Sequence, residues 1–288
     1  MENIKYWIWL SKVEGLTPKL LNDLLRKYDN PENIWNKTKE ELIQDGVKQL
    51  HANKLTNIIY RKNLDKYIEY MQNNNIEIIT LQDKYYPDKL KVIYDPPIVL
   101  YLKGNKKILN KKSIAIVGCR LCTKYGQVVS RKLSYDLSLN NINIISGLAR
   151  GIDSYAHKAS LDAKGTTIAV VGCGLDRVYP KENYDLFRKI IDSGGAVISE
   201  YIIGTKPLAR NFPKRNRIIS GLSDGVIVIE AREKSGTLIT VDFALEQGKN
   251  VYAVPGEINK LNSYGTNNLI KQGAKVITNT EDILEDLL

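Results

Sequence analysis

Histidine and cysteine are scarce in this chain: His51 and His157 are its two histidines, and Cys119, Cys122 and Cys173 its three cysteines. A small, odd cysteine set supports no disulfide framework and fits a reducing compartment. Two histidines with one C-x-x-C pair do not complete a zinc site, so no metal and no cofactor is expected. Long apolar runs are missing too. No segment approaches the roughly 20 uninterrupted apolar residues of a membrane span. The opening stretch MENIKYWIWLSKVEG reaches Lys12 after a short apolar run, with neither a basic leader nor a small-residue cleavage site. A cytoplasmic protein without membrane contact is the expectation. The dinucleotide fingerprint G-x-G-x-x-G is also absent, because Gly118 is followed by Cys119, Arg120, Leu121, Cys122 and Thr123. That disfavours a nicotinamide cofactor.

What the chain does have is positive charge and alternating apolar segments. Lys and Arg number 42 against 32 Asp and Glu, a formal charge of +10. Such an excess favours polyanionic partners, because cations gain affinity by releasing counterions from a phosphate backbone. With 288 residues, 43% of them hydrophobic, the chain can build one large α/β domain and a smaller helical one.

Residues 1–70 follow a helical period, with Leu20, Leu21, Leu24 and Leu25, then Leu55, Ile58 and Ile59, at three- and four-residue spacing. Gly15 ahead of Thr17-Pro18 reads as a tight hairpin followed by a capped helix start, a helix-hairpin-helix-like unit. The second hairpin glycine of DNA-binding examples is Thr17 here, so a structural or partner-binding role is expected. Residues 71–110 hold short β-like runs broken by prolines and read as a connecting extension. From residue 111 to 288, apolar strand runs (IAIVG, INIIS, TIAVVG, AVIS, GVIVIE, VYAVPG) alternate with helix-compatible stretches. The expected fold is α/β: an extended Rossmann-like, mostly parallel sheet with helices on both faces and ligands at the C-terminal strand ends.

Those strand ends share one character. The first carries Gly118, Cys119 and Arg120; the second runs from Ser146 through Gly147, Arg150 and Gly151; the third is GCGLDRVYPKEN. Glycines allow close backbone approach, and a strand-to-helix turn presents N–H groups to an anion. The segment ARNFPKRNRIIS gathers Arg210, Lys214, Arg215, Asn216 and Arg217 around Phe212, and Ser235-Gly236-Thr237 opens a further helix. Cations tracking phosphates beside an aromatic ring that stacks on a base would bind a single strand with little sequence preference. Any one of these loops also fits an ordinary tight turn, and Phe212 also fits a core or helix-staple position.

In order and spacing, IAIVGCR, SGLARGID, GCGLDRVYP, NFPKRNRIIS, SGTLITVDFALEQG, VPG and NSYGTNNLIKQGA resemble the DprA/Smf DNA-processing family over about residues 113–276. The resemblance implies a dimeric, non-enzymatic Rossmann-like protein. It would bind single-stranded DNA in a basic pocket and load the recombinase RecA during natural transformation. The binding roles it implies fall on Gly118, Cys119 and Arg120; on Ser146, Gly147, Arg150 and Gly151; on Phe212, Lys214, Arg215, Asn216 and Arg217; and on Ser235 and Gly236. Cys119 replaces the family's usual Ser, so a hydroxyl donor becomes a weak thiol donor. The sequence runs out at ITNTEDILEDLL, so the winged-helix-like domain that many members append is not expected.

Two other chemistries compete. The LOG-type nucleotide phosphoribohydrolases share this sheet layout, and nucleotide sensing without chemistry is a softer alternative. Aligning the hydrolase G-T with Gly236-Thr237 puts Thr240 where that enzyme needs a catalytic Glu, and Thr supplies no carboxylate for acid or base work. Cys119 and Cys122 form a C-x-x-C after a strand, but in a phosphate-loop position rather than a redox one. His157 reads as a capping or packing residue.

Overall fold

The strands Ser113–Val117 (β3), Asn143–Ser146 (β4), Thr167–Val171 (β5), Ala196–Ser199 (β6) and Gly225–Val228 (β7) are buried at every position. Strands covered on both faces read as continuous apolar runs rather than as alternation. In the computed structural model, which describes residues 3–287, they belong to one nine-stranded sheet. Glu77–Thr80 (β1) and Val99–Gly104 (β2) precede them, and Asn250–Ala253 (β8) and Lys275–Val276 (β9) follow. The order is β1-β2-β6-β5-β4-β3-β7-β8-β9. From β6 to β9 all pairings are parallel, while β1–β2 and β2–β6 are antiparallel.

Successive residues of β3 point to opposite faces. Ala115 and Val117 join Ile218, Ile219, Val241 and Ala244 under the helices Asn211–Leu222 and Gly236–Glu246. Ile114 and Ile116 join Leu133, Leu137, Ile152 and Ala156 under Lys124–Leu139 and Ile152–Asp162. Because β3 is flanked by β4 on one side and β7 on the other, the chain reverses its winding there. A crevice opens at the C-terminal ends of the strands at such a switch point.

Residues 71–110 do more than connect. They supply β1 and β2, and Tyr101 and Leu102 pair with Ser199 and Ile198 of β6. The prolines that interrupt this stretch in sequence lie between the two strands, so the ladder loses no donors. At the N-terminus, Thr17 caps the helix Pro18–Tyr28 by accepting the Leu20 N–H at 3.2 Å, with Pro at the first helical position as expected. Gly15 turns with φ +76°, a conformation that favours glycine. The helices do not keep a core to themselves. Trp9, Leu10 and Leu55 belong to one apolar cluster with Tyr101, Val171, Leu186 and Phe187, and Ser11 Oγ lies 3.0 Å from the Tyr101 hydroxyl. Among the described residues no helix is long and apolar enough to cross a membrane.

His157 is a packing residue. Thr167 Oγ1 donates to the Ile144 carbonyl at 2.6 Å, so His157 Nδ1, 2.7 Å from that oxygen, must be the donor to it. Burial, with Arg215 adding to it, pushes the imidazole pKa down to about 3. The unfolded chain's His binds a proton near 6.5 and the folded one only near 3, so between those values the unfolded state holds more protons. Stability is therefore expected to fall as pH drops through that window, by about 1.4 kcal/mol per pH unit from this residue. Urea unfolding at about pH 7.5 and about pH 5.5 checks it: His157→Gln should shrink the difference between the two, and an unchanged difference would remove His157 as its source.

Candidate nucleic-acid interface

A cavity of about 630 Å³ occupies the predicted crevice, walled by the loops after β3, β4, β5, β6 and β7 and by the helices Asn211–Leu222 and Gly236–Glu246. Its lining brings together Arg120, Arg215, Arg232 and Lys234, with Asp153 as its one carboxylate. Clustered cations in a concave, partly dehydrated site concentrate positive potential where an anion would enter.

The loop after β3 is locked to its neighbours. A Cβ on Gly118 would stand 2.6 Å from Ile152 Cγ1, and one on Gly151, where φ is +74°, would stand 2.3 Å from the Cys119 carbonyl oxygen. The Cys119 N–H donates to the Glu230 carbonyl at 3.0 Å, and the Cys119 carbonyl accepts from Ile152 N–H at 3.2 Å. Of the backbone N–H groups expected to face an anion at this first turn, that of Cys119 is therefore taken by Glu230. What the turn does offer is the exposed Arg120 side chain. The Cys119 thiol lines the cavity, but burial and then the Glu230 charge push its pKa up, and the same two causes act on Cys122. Both therefore stay protonated at neutral pH, with little thiolate for redox chemistry.

The loop after β4 is organised around Gly147. Its N–H donates to Asp153 Oδ2 at 3.1 Å, as the Ala149 N–H does at 3.3 Å, and its carbonyl accepts from Arg215 Nη1 at 2.8 Å. A Cβ here would sit 2.6 Å from both terminal nitrogens of Arg215, so only glycine admits the guanidinium. Arg215 also donates to the Val170 carbonyl and so joins the ends of β4 and β5. It reaches the cavity as a buried strut, not as the solvated phosphate ligand read from the sequence. Burial lowers its pKa to about 10, which leaves it charged at neutral pH. Burial pushes the Asp153 carboxyl up, and Arg215 and the two N–H donors oppose that.

Three further expectations need correction. Ser146 is fully buried and donates to the Ile116 carbonyl at 2.6 Å, so it pins β4 to β3 and faces no ligand. Arg217 is buried against Glu200 and Asp95, at 2.6 and 2.9 Å. Two residues along a helix turn the side chain by about 200°, which sends Arg217 away from the face that carries Arg215. The basic loop after β5 sends Arg177 to Asp176, outside the cavity, and contributes Tyr179 instead. Lys214 is exposed and Arg150 is paired with Glu182, and neither lines the cavity.

Phe212 is half-buried at the mouth. Its ring centroid is 5.5 Å from that of Tyr179, and the Arg120 and Arg215 guanidinium carbons lie 5.7 and 5.9 Å from it. Gly172 lets the ring in, since a Cβ there would be 3.2 Å from Phe212 Cδ1. Also in the lining, Ser235 caps its helix by accepting the Thr237 N–H at 3.2 Å, while Gly236 is exposed. Asn216 Nδ2 donates to the Gly236 carbonyl at 3.3 Å and ties the helix Asn211–Leu222 to the start of Gly236–Glu246. Thr240, at the position where a hydrolase of this layout would need Glu, lines the cavity as a buried hydroxyl. Sequence reasoning missed Arg232, Lys234 and Tyr179. The first two lie in EAREKSG, where the cap residues drew attention from the cations before them.

The family model described as DNA recombination-mediator protein A matches residues 77–288. The chain belongs to that family. The match starts at β1, so it takes in both antiparallel strands ahead of the seven blocks that carry the resemblance. DNA processing protein DprA of Bacillus subtilis is 44% identical over 262 residues, 91% of this chain and 88% of the relative. Protein Smf of Escherichia coli is 42% identical over 227 residues, 79% of this chain and 61% of the relative, so the chain spans less than two thirds of that protein. The X-ray structure of DprA from Streptococcus pneumoniae superposes with a TM-score of 0.84 at 38% identity, covering 98% of this chain and 97% of that one. DprA from Helicobacter pylori, solved for its single-stranded DNA binding mode, gives a TM-score of 0.66 at 32% identity over 73% of this chain and 95% of that one.

Proposed function

We propose that this chain binds single-stranded DNA in the cavity at the ends of β3, β4 and β7 and passes the strand to the recombinase RecA during natural transformation and related DNA processing. The observation that carries the reading is Phe212 at the mouth, with the Arg120 and Arg215 guanidinium carbons 5.7 and 5.9 Å from its ring centroid and Arg232 and Lys234 in the same lining. An aromatic face for a base and cations for the flanking phosphates are the parts that sequence-tolerant single-strand binding needs. The single-stranded DNA bound by the Helicobacter pylori relative supports the ligand, and the family's description as a recombination mediator supports the recombinase step. No catalytic step is assigned. The protein is taken to act as a homodimer, which would put two such cavities on one particle and raise apparent affinity by bivalent engagement.

Anisotropy titration of a labelled oligothymidine and a labelled duplex over a salt series tests the reading. Wild type should prefer the single strand, with log Kd rising by about 0.7 per log unit of salt for each phosphate neutralised. Arg120→Ala should lower that slope by about one contact's share. Equal affinity for duplex, or an Arg120→Ala slope equal to wild type, would reject the cavity as the single-strand site.

A further inference from the structure

A second cavity, about 780 Å³, opens on the far side of the loop that carries Tyr179. The two are one peptide apart: Val178 lines the second and Tyr179 the first. The loop and the helix Tyr184–Asp192 give the second cavity Arg177, Lys181, Tyr184 and Arg188, the end of β2 gives Lys103, and the helix Leu64–Asn73 gives Tyr70. Tyr184 is 53% and Tyr70 41% exposed. Asp176 neutralises Arg177, but among the described residues Lys103, Lys181 and Arg188 take part in no ion pair. Asp192 is the remaining carboxylate of the lining.

Unpaired cations alone describe any solvated surface. Here they frame a concavity with two half-exposed tyrosines, and that concavity shares a wall with the candidate DNA site. A single strand leaving the first cavity over the Tyr179 loop would reach the second past Glu182 and Asp176, which Arg150 and Arg177 already hold. Aromatic faces beside cations, repeated along a path, are what carry a strand of several nucleotides.

We propose that the second cavity holds the next stretch of the same single strand, with Lys103 and Arg188 on phosphates and Tyr184 and Tyr70 against bases. The inference rests on the single-strand reading of the first cavity. It gives the N-terminal helical region a direct part in the DNA path through Tyr70.

Oligothymidines of about 5 and about 20 nucleotides, bracketing the site size of one binding module, separate the two cavities by anisotropy. The variants are Lys103→Glu/Arg188→Glu, Tyr184→Ala, and a control of equal charge, Lys132→Glu/Lys158→Glu, on exposed helix positions that line neither cavity. On the long strand the Lys103/Arg188 pair should lose about 10-fold or more in affinity and Tyr184→Ala about 5-fold, with the salt slope of the pair lower by about 1.4 for two lost phosphate contacts. On the short strand both should match the control. A long-to-short affinity ratio equal to wild type, or a control that loses as much as the pair, overturns the second cavity while leaving the first intact. If wild type binds neither length, the single-strand reading itself fails and takes this inference with it.

Discussion

Arg215→Met should lower the unfolding free energy by about 3–5 kcal/mol, read from urea denaturation, and abolish DNA binding even where the variant remains folded. The size follows from what the substitution strands. Arg215 is buried and serves the carbonyls of Gly147 and Val170 while offsetting the buried Asp153 charge, so its removal takes a donor from two carbonyls and the compensating charge from a carboxylate. Arg215→Lys should rescue little, because one ammonium on a flexible stem does not replace a planar fork that reaches two strand ends. Adding Asp153→Asn to Arg215→Met should recover part of the loss, since the pair is coupled through Gly147. If Arg215→Met unfolds at the wild-type urea midpoint, the guanidinium is not the strut described.

Phe212→Ala is expected to weaken oligothymidine binding by about 1–3 kcal/mol, the value of one base stacked on an aromatic ring. That is about 5- to 150-fold in Kd. The salt slope should stay at the wild-type value, since no phosphate contact is removed, and Phe212→Trp should keep most of the affinity. The contrast with Arg120→Ala is the point of the pair: one variant moves affinity without slope, the other moves slope. Wild-type affinity in Phe212→Ala would mean that the ring serves only to pack on Tyr179 and over Gly172.

The central sheet was legible because its strands are buried on both faces and so appear as apolar runs with glycine at their ends; Ile114–Val117 and Val226–Val228 are examples. The switch-point cavity followed from that alternation alone. The two antiparallel strands were harder to place, because an edge pairing of four to six residues leaves no mark that says which strand it joins. Within the site, the errors have one origin. A basic run in sequence is linear, whereas the helix distributes Lys214, Arg215 and Arg217 to solvent, strut and buried ion pair respectively. Likewise nothing in the sequence shows that the amide of Cys119 is taken, because its partner, Glu230, lies on another strand's loop. Arg232 and Lys234 were in plain view in EAREKSG, and only their position beside the β3 loop in space gives them meaning.

The peptide of Gly147 is held at both ends, its N–H by Asp153 and its carbonyl by Arg215. The part of the cavity wall built by Asp153 and Arg215 therefore surrenders almost no conformational freedom when a strand arrives, and the entropy of ordering falls on the long solvent-facing side chains Arg120, Arg232 and Lys234. Such a division lets phosphates of different spacing be met by moving cations while the base lands on a fixed surface, which separates tolerance of strand geometry from strength of binding.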